Sequence, residues 1–170
     1  SPGSFLTAAV SGATRNGMAT IDINPEIFLD SCDFTDTRLE MIGNRQVIAM
    51  DFMPRIDAKL EGMRAYVKRL SGTIWIDAED KMLVRLEAKS IVPGVGKDGK
   101  PLRNGPEPKL VYHQRKAPTG EWYPSVIRLN AGGDGTIFDG LNWDVLFEFK
   151  DFRRFSSNAN DYKLTDPKKP

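Results

Sequence analysis

The side chains that could do chemistry in this chain are few. One histidine, His113, and one cysteine, Cys32, stand among 23 aspartates and glutamates. A zinc site built from His and Cys needs four such donors, or three plus water, so two residues cannot make one. A Ser-His-Asp triad would have to use His113, and nothing in the sequence pairs it with a nucleophile. Cys32 has no partner for an internal disulfide. Its setting, Leu29-Asp30-Ser31-Cys32, lies inside the chain with no long apolar run before it, so it is not a lipidation signal. It reads as a small buried hydrophobe. The carboxylates Asp51, Asp77, Glu79, Asp80, Glu87, Asp144 and Glu148 are candidates for acid-base work. Asp77, Glu79 and Asp80 crowd one turn and could hold calcium weakly. Their spacing does not match the twelve-residue calcium loop, whose invariant glycine is missing, so a solvated turn is the better reading. Gly94-Val95-Gly96-Lys97 suggests a phosphate cradle, but Pro101, Pro106 and Pro108 forbid the helix N-terminus that such a cradle needs. The chemistry-bearing residues therefore point to a non-enzymatic protein with no cofactor and no metal.

Composition narrows the partners. Twenty-four Lys and Arg against 23 Asp and Glu leave a net charge of +1, too little for a global field that draws in nucleic acid. No run of apolar residues is long enough for a transmembrane helix. The opening Ser1-Pro2-Gly3-Ser4 reads as a cloning remnant, so a secretion signal is expected to have been removed. At 170 residues the chain is expected to form one domain.

Hydrophobic periodicity identifies the elements that must position these residues. Residues 5–19 suggest a short helix weakened by Gly12 and Gly17. Asn24-Pro25-Glu26 is a helix start, with Asn24 as cap and Pro25 in the first turn. Period two takes over from Cys32. Over 33–41, Leu39 and Met41 share a face, and Gly43-Asn44 is a tight turn. Over 45–53, Ile48, Met50 and Phe52 oppose Val47, Ala49, Asp51 and Met53, which predicts a strand with both faces covered. Residues 57–70 have helical spacing, with Leu60, Met63, Val67 and Leu70 in one stripe. The sharpest signal is the hairpin Gly72–Ser90, where Thr73–Asp77 leads through a polar turn at 78–81 into Met82–Ser90. There Val84, Leu86 and Ala88 alternate with Leu83, Arg85 and Glu87. Residues 92–108 form a long Gly/Pro loop. Strands resume at 109–114, 122–130 and 141–152, the last with Trp143, Val145, Phe147 and Phe149 on one face. The predicted class is mainly β (α+β): a single curved antiparallel sheet or half-barrel of roughly seven or eight strands, with one or two short helices on its concave side. A sandwich is the alternative. The expected organisation is an N-terminal segment over 1–31, a β domain over 32–156 and a fraying tail over 157–170.

A resemblance follows from particular residues. Val47–Pro54 (VIAMDFMP), Leu70–Asp77 (LSGTIWID), Leu83–Ala88 (LVRLEA), Glu121–Ser125 (EWYPS) and Asp151–Phe155 (DFRRF) together resemble bacterial outer-membrane lipoprotein-sorting proteins, the LolA-like periplasmic carriers and their relatives. The resemblance covers about residues 32–156. It implies a half-barrel wrapped around helices, a place in the periplasm or cell envelope, and carriage of a lipid or lipoprotein acyl chain against an apolar concave face. The side chains expected to line that face are Ile48, Met50, Phe52, Trp75, Val84, Leu86, Val145, Phe147 and Phe149. The competing expectation is a protein-interaction module that docks an envelope partner through a sheet edge or the 92–108 loop, without lipid.

Overall fold

The alternation from Cys32 onward demands a sheet with two chemically different faces, and the chain builds one. The structure is a computed structural model, and it describes residues 8–14, 17–91, 98, 100, 109–130 and 144–150. Its main sheet has seven antiparallel strands in chain order: β3 (Cys32–Ile42), β4 (Arg45–Pro54), β5 (Leu70–Asp77), β6 (Leu83–Ser90), β7 (Leu110–Lys116), β8 (Trp122–Asn130) and β9 (Asp144–Glu148). The sheet stays open, with β3 and β9 at its edges. Before it, β1 (Ala8–Thr14) and β2 (Gly17–Ile23) pair as a separate antiparallel ribbon. This replaces the short helix expected near the N-terminus. Gly12 and Gly17 weaken a helix, while Val10, Thr14, Thr20 and Ile21 favour extended backbone.

Two short helices follow the sequence signals to different degrees. Helix α1 (Pro25–Ser31) starts as expected, the Asn24 side chain accepting from the backbone N–H of Glu26 at 2.9 Å. The helix expected over 57–70 contracts to a 3-10 helix, Gly62–Arg69. Gly62 adopts φ +56°, a left-handed conformation that cannot sit inside a right-handed α-helix, so the stripe breaks between Leu60 and Met63. Leu60 and Val67 are buried as predicted, Met63 faces solvent, and Leu70 belongs to β5.

Cross-strand register explains where the core sits. Directly paired residues share a face, and one row runs Phe34–Phe52–Gly72–Ala88–Leu110–Leu129–Val145 across all seven strands. The next runs Met50–Ile74–Leu86–Tyr112–Ile127–Phe147 from β4 to β9. Against this inner face pack Ile27 and Phe28 of α1, Ala58 and Leu60 of the connection, and Tyr66 and Val67 of the 3-10 helix. Phe28 meets Phe52 edge-on with ring centroids 5.4 Å apart and Tyr66 at 6.2 Å. Tyr66 donates its hydroxyl to the Asp22 carbonyl at 3.0 Å, which ties the 3-10 helix to the end of β2.

Two glycines shape the strand pairing. Gly43, at φ +61°, opens the two-residue Gly43-Asn44 turn between β3 and β4. In β5 the missing side chain of Gly72 matters more, because a Cβ there would lie 1.9 Å from the Glu87 carbonyl oxygen. Gly72→Ala is expected to force β5 off β6 and lower stability by about 2 kcal/mol or more. Phe28→Ala, which opens a cavity under α1, is expected to cost about 3–5 kcal/mol. Urea unfolding midpoints check both, with an unchanged slope marking a true stability effect.

Candidate functional site

The two faces of the sheet are the candidate surfaces, and each is built by period two. On the outer face one row runs Arg38–Ala49–Trp75–Arg85–His113–Val126–Glu148 from β3 to β9. A parallel row runs Thr35–Asp51–Thr73–Glu87–Val111–Arg128–Leu146. Long charged side chains lie along these rows and bond to one another. Arg38 donates from Nε to Glu40 Oε1 at 2.7 Å and from both Nη atoms to Asp51 Oδ1 at 3.1 Å. Thr73 Oγ1 donates to the same Asp51 oxygen at 2.7 Å, and Trp75 Nε1 donates to Glu40 Oε2 at 2.8 Å. The Arg85 guanidinium stacks over the Trp75 ring at 5.5 Å, and Arg85 Nε donates to His113 Nε2 at 3.0 Å.

This lattice covers apolar surface. Val47 and Ala49 point to the outer face and are 0% exposed. Their cross-strand neighbours there are Arg38, Glu40, Trp75 and Asp77; the Arg38 and Glu40 ends reach water, whereas the Asp77 carboxyl is buried. The carboxyls respond to their donors. The Trp75 and Arg38 bonds hold Glu40 below the usual glutamate range, and Thr73 and Arg38 do the same for Asp51.

At the β5–β6 turn Glu79 is solvated as expected, but the two aspartates are tied down. Asp77 is 1% exposed. It accepts from Arg45 Nε at 2.5 Å and Nη2 at 2.9 Å, and from the backbone N–H groups of Glu79 and Asp80 at 3.0 and 2.8 Å. Asp80 takes Lys116 Nζ at 2.6 Å and Trp122 Nε1 at 3.0 Å, while Arg45 lies 5.6 Å over the Trp122 ring. The turn's two aspartates thus face the protein's own cations, an arrangement that leaves no open cage for calcium. Among the described residues no group of three or more His, Cys, Asp or Glu is placed to hold a metal ion. A cleft of about 380 Å³ beside this turn is walled by Asn44, Arg45, Gln46, Asp77, Ala78 and Glu79, and is polar.

The remaining reactive groups have structural settings. Burial pushes the Cys32 thiol up to about 12, partly opposed by Arg55, so it stays protonated and inert at neutral pH. The His113 ring bonds to Arg85 and approaches Glu87, not a serine or cysteine.

The residues expected to line an apolar concave face separate into three groups. Phe52 and Leu86 are buried, and Met50 and Val145 half-buried, all packed into the core cluster beneath the helices. Ile48, Phe147 and Phe149 lie on the inner face beyond the centre of that cluster, half-buried to exposed. Trp75 is on the opposite face. Its odd number in β5 groups it with Thr73 and Asp77, while Ile74 and Ile76 face the core. Val84 is likewise not where strict alternation put it. A bulge pairs Trp75 with Arg85 but Ile76 with Leu83, so Leu83 and Leu86 both enter the core and Val84, though buried, stands outside it. Ile74, Tyr112 and Ile127 complete the inner rows; their places are set by cross-strand register, which alternation within one strand does not reveal. Leu39 and Met41 were visible there only as an alternation. They extend the inner face at the β3 edge and are 66% and 61% exposed. Most of the 92–108 loop, like Trp143 and the residues beyond 150, lies outside the described residues.

Comparison of the chain with protein-family models, with curated proteins and with solved structures finds no match in any of the three. The geometry must carry the functional reading.

The Asp77–Arg45 pair makes a pH prediction. The Arg45 bond holds the Asp77 carboxyl down at about 2, against an ordinary 3.8. A depressed carboxyl stabilises the fold fully above its unfolded value, so this contribution is complete above pH 3.8 and fades as pH falls toward 2. Asp77→Asn is expected to lose about 2 kcal/mol at neutral pH and to remove this part of the acid limb. Urea titrations at a series of pH values measure both.

Proposed function

We propose that this protein is a non-enzymatic binding module of the cell envelope that takes an apolar chain, such as a lipid or lipoprotein acyl chain, along the inner face of its sheet. One observation carries the reading. The inner face stays apolar out to its edge strands, but among the described residues its helical cover is confined to the middle. At one margin stand Leu39, Met41 and Ile48; at the other, Phe147 and Phe149, which are 39% and 40% exposed. Exposed apolar surface continuous with a core is a common mark of a binding surface. Met41 adds a side chain that adapts to an irregular ligand. The likeness of Leu70–Asp77 and Leu83–Ala88 to the lipoprotein-sorting carriers supports the same ligand class and an envelope setting. Under this reading the centre of the inner face is core, and the ligand lies where the helices do not reach.

At one of the two sheet edges the geometry disfavours the docking alternative. Strand β3, the first edge, carries a bulge between Thr35 and Arg38, and Asp36 there adopts φ +51°. Bulges and charged side chains are the devices by which sheets discourage addition of a further strand.

Fluorescent fatty-acid binding tests the proposal. Covering one margin side chain contributes about 1.5–3 kcal/mol, so Leu39→Asp and Phe147→Asp are each expected to weaken binding roughly tenfold or more. Met53→Asp, on the outer face of β4, is expected to leave it unchanged. Equal affinity for all three variants, or no binding by the native chain, would remove the proposal.

A further inference from the structure

The outer lattice contains one group whose hydrogen-bonding role must reverse on protonation. His113 Nε2 lies 3.0 Å from Arg85 Nε, which can only donate, and 3.4 Å from Glu87 Oε1, which as a carboxylate can only accept. With Arg85 as its partner, His113 must be neutral, with its proton on Nδ1. An imidazolium carries N–H on both nitrogens, so it loses the ability to accept from Arg85 and gains the ability to donate to Glu87. Arg85 cannot leave without consequence, because the same guanidinium lies 3.2 Å from Glu87 Oε1 and stacks on Trp75 at 5.5 Å.

We propose that His113 is a proton-operated latch in the outer lattice: on taking a proton it transfers its bond from Arg85 to Glu87, releasing Arg85 and loosening its stack on Trp75. The change extends beyond one pair. Trp75 Nε1 is bonded to Glu40, Glu40 to Arg38, and Arg38 to Asp51, so the disturbance starts on β7, passes through β6 and β5 to β3, and ends at Asp51 on β4. It also adds one positive charge to a face built of alternating charges.

The charged surroundings favour the neutral ring. Arg85 and Glu87 face His113 from β6, and Arg115 stands nearby on its own strand. Across on β8 its direct partner is the uncharged Val126, with Arg128 one step along the same face, and Glu148 of β9 pairs with Val126. Trp75 of β5 is the next residue beyond Arg85 in the row. Burial and Arg85 push the ring below its ordinary value of 6.5, with Glu87 opposing. A histidine so depressed stabilises the fold fully above the ordinary value, and that contribution is lost as pH falls from there toward the folded-state value. The latch is therefore closed at neutral pH and opens in mild acid.

Proton NMR tests it directly, because one histidine gives one titration and the three tryptophans give three indole N–H signals. The His113 midpoint is expected below 6.5. The Trp75 indole, assigned with Trp75→Phe, is expected to shift with the same midpoint, while the Trp122 indole, held by Asp80, does not follow it. In His113→Gln the Trp75 shift should vanish over this range. In Arg85→Met, which keeps the half-buried stem, the histidine midpoint should rise. A midpoint at or above the ordinary value, a Trp75 shift that persists in His113→Gln, or an Arg85→Met midpoint that does not rise would overturn the latch.

Discussion

An open sheet has two faces, and both must be kept from water by something. This constraint organises the rest of the molecule. The chain gives the inner face two short helices and the connection from β4 to the second of them, so burial there depends on Phe28, Leu60, Tyr66 and Val67 meeting rows of Val, Leu, Ile and Phe drawn from successive strands. It gives the outer face no helix or second sheet among the described residues. Val47 and Ala49 are instead roofed by a lattice of Arg38, Glu40, Trp75 and their partners. The same charged residues that make the sequence look polar for its size thus act partly as cover. This is why arginine, with its planar, stackable and always charged head, recurs at Arg38, Arg45 and Arg85.

The division of labour bears on function. Chemistry-bearing groups are concentrated on the outer face and at the β5–β6 turn, where Asp51, Asp77 and Asp80 are each matched to an arginine or lysine. The inner face has a different imbalance. Its apolar rows run the full width of the sheet, whereas among the described residues two short helices cover only part of that width. Apolar surface therefore remains at Leu39, Met41, Phe147 and Phe149, on the face that is also the core. A ligand placed there would extend a pre-existing hydrophobic surface without displacing packed side chains, which limits the reorganisation that binding requires.

Much of the fold was legible because period two is a strong local signal. The Gly72–Ser90 hairpin, the 45–53 strand with its two assigned faces, the Gly43-Asn44 turn and the Asn24-Pro25 helix start all follow from nearest-neighbour chemistry. What failed needed information from another strand or from an unusual backbone. Trp75 looks like core by its type, but its face is set by register with Ala49 and Arg85. Val84 was misplaced by a bulge that alternation cannot reveal. The 57–70 helix had a convincing stripe and was broken by a single left-handed glycine. The candidate site was the least legible part, since whether an apolar residue ends as filled core or open margin depends on how far the helices reach.

Location of a bound acyl chain is therefore the decisive quantity. Methionine methyl NMR with a spin-labelled fatty acid reads it, because Met41 and Met50 lie on the inner face and Met53 on the outer. The account predicts strong paramagnetic broadening of the Met41 methyl, weaker broadening of the half-buried Met50, and a Met53 signal left sharp. Broadening centred on Met53, or none at any methionine with the fatty acid in excess, would contradict it.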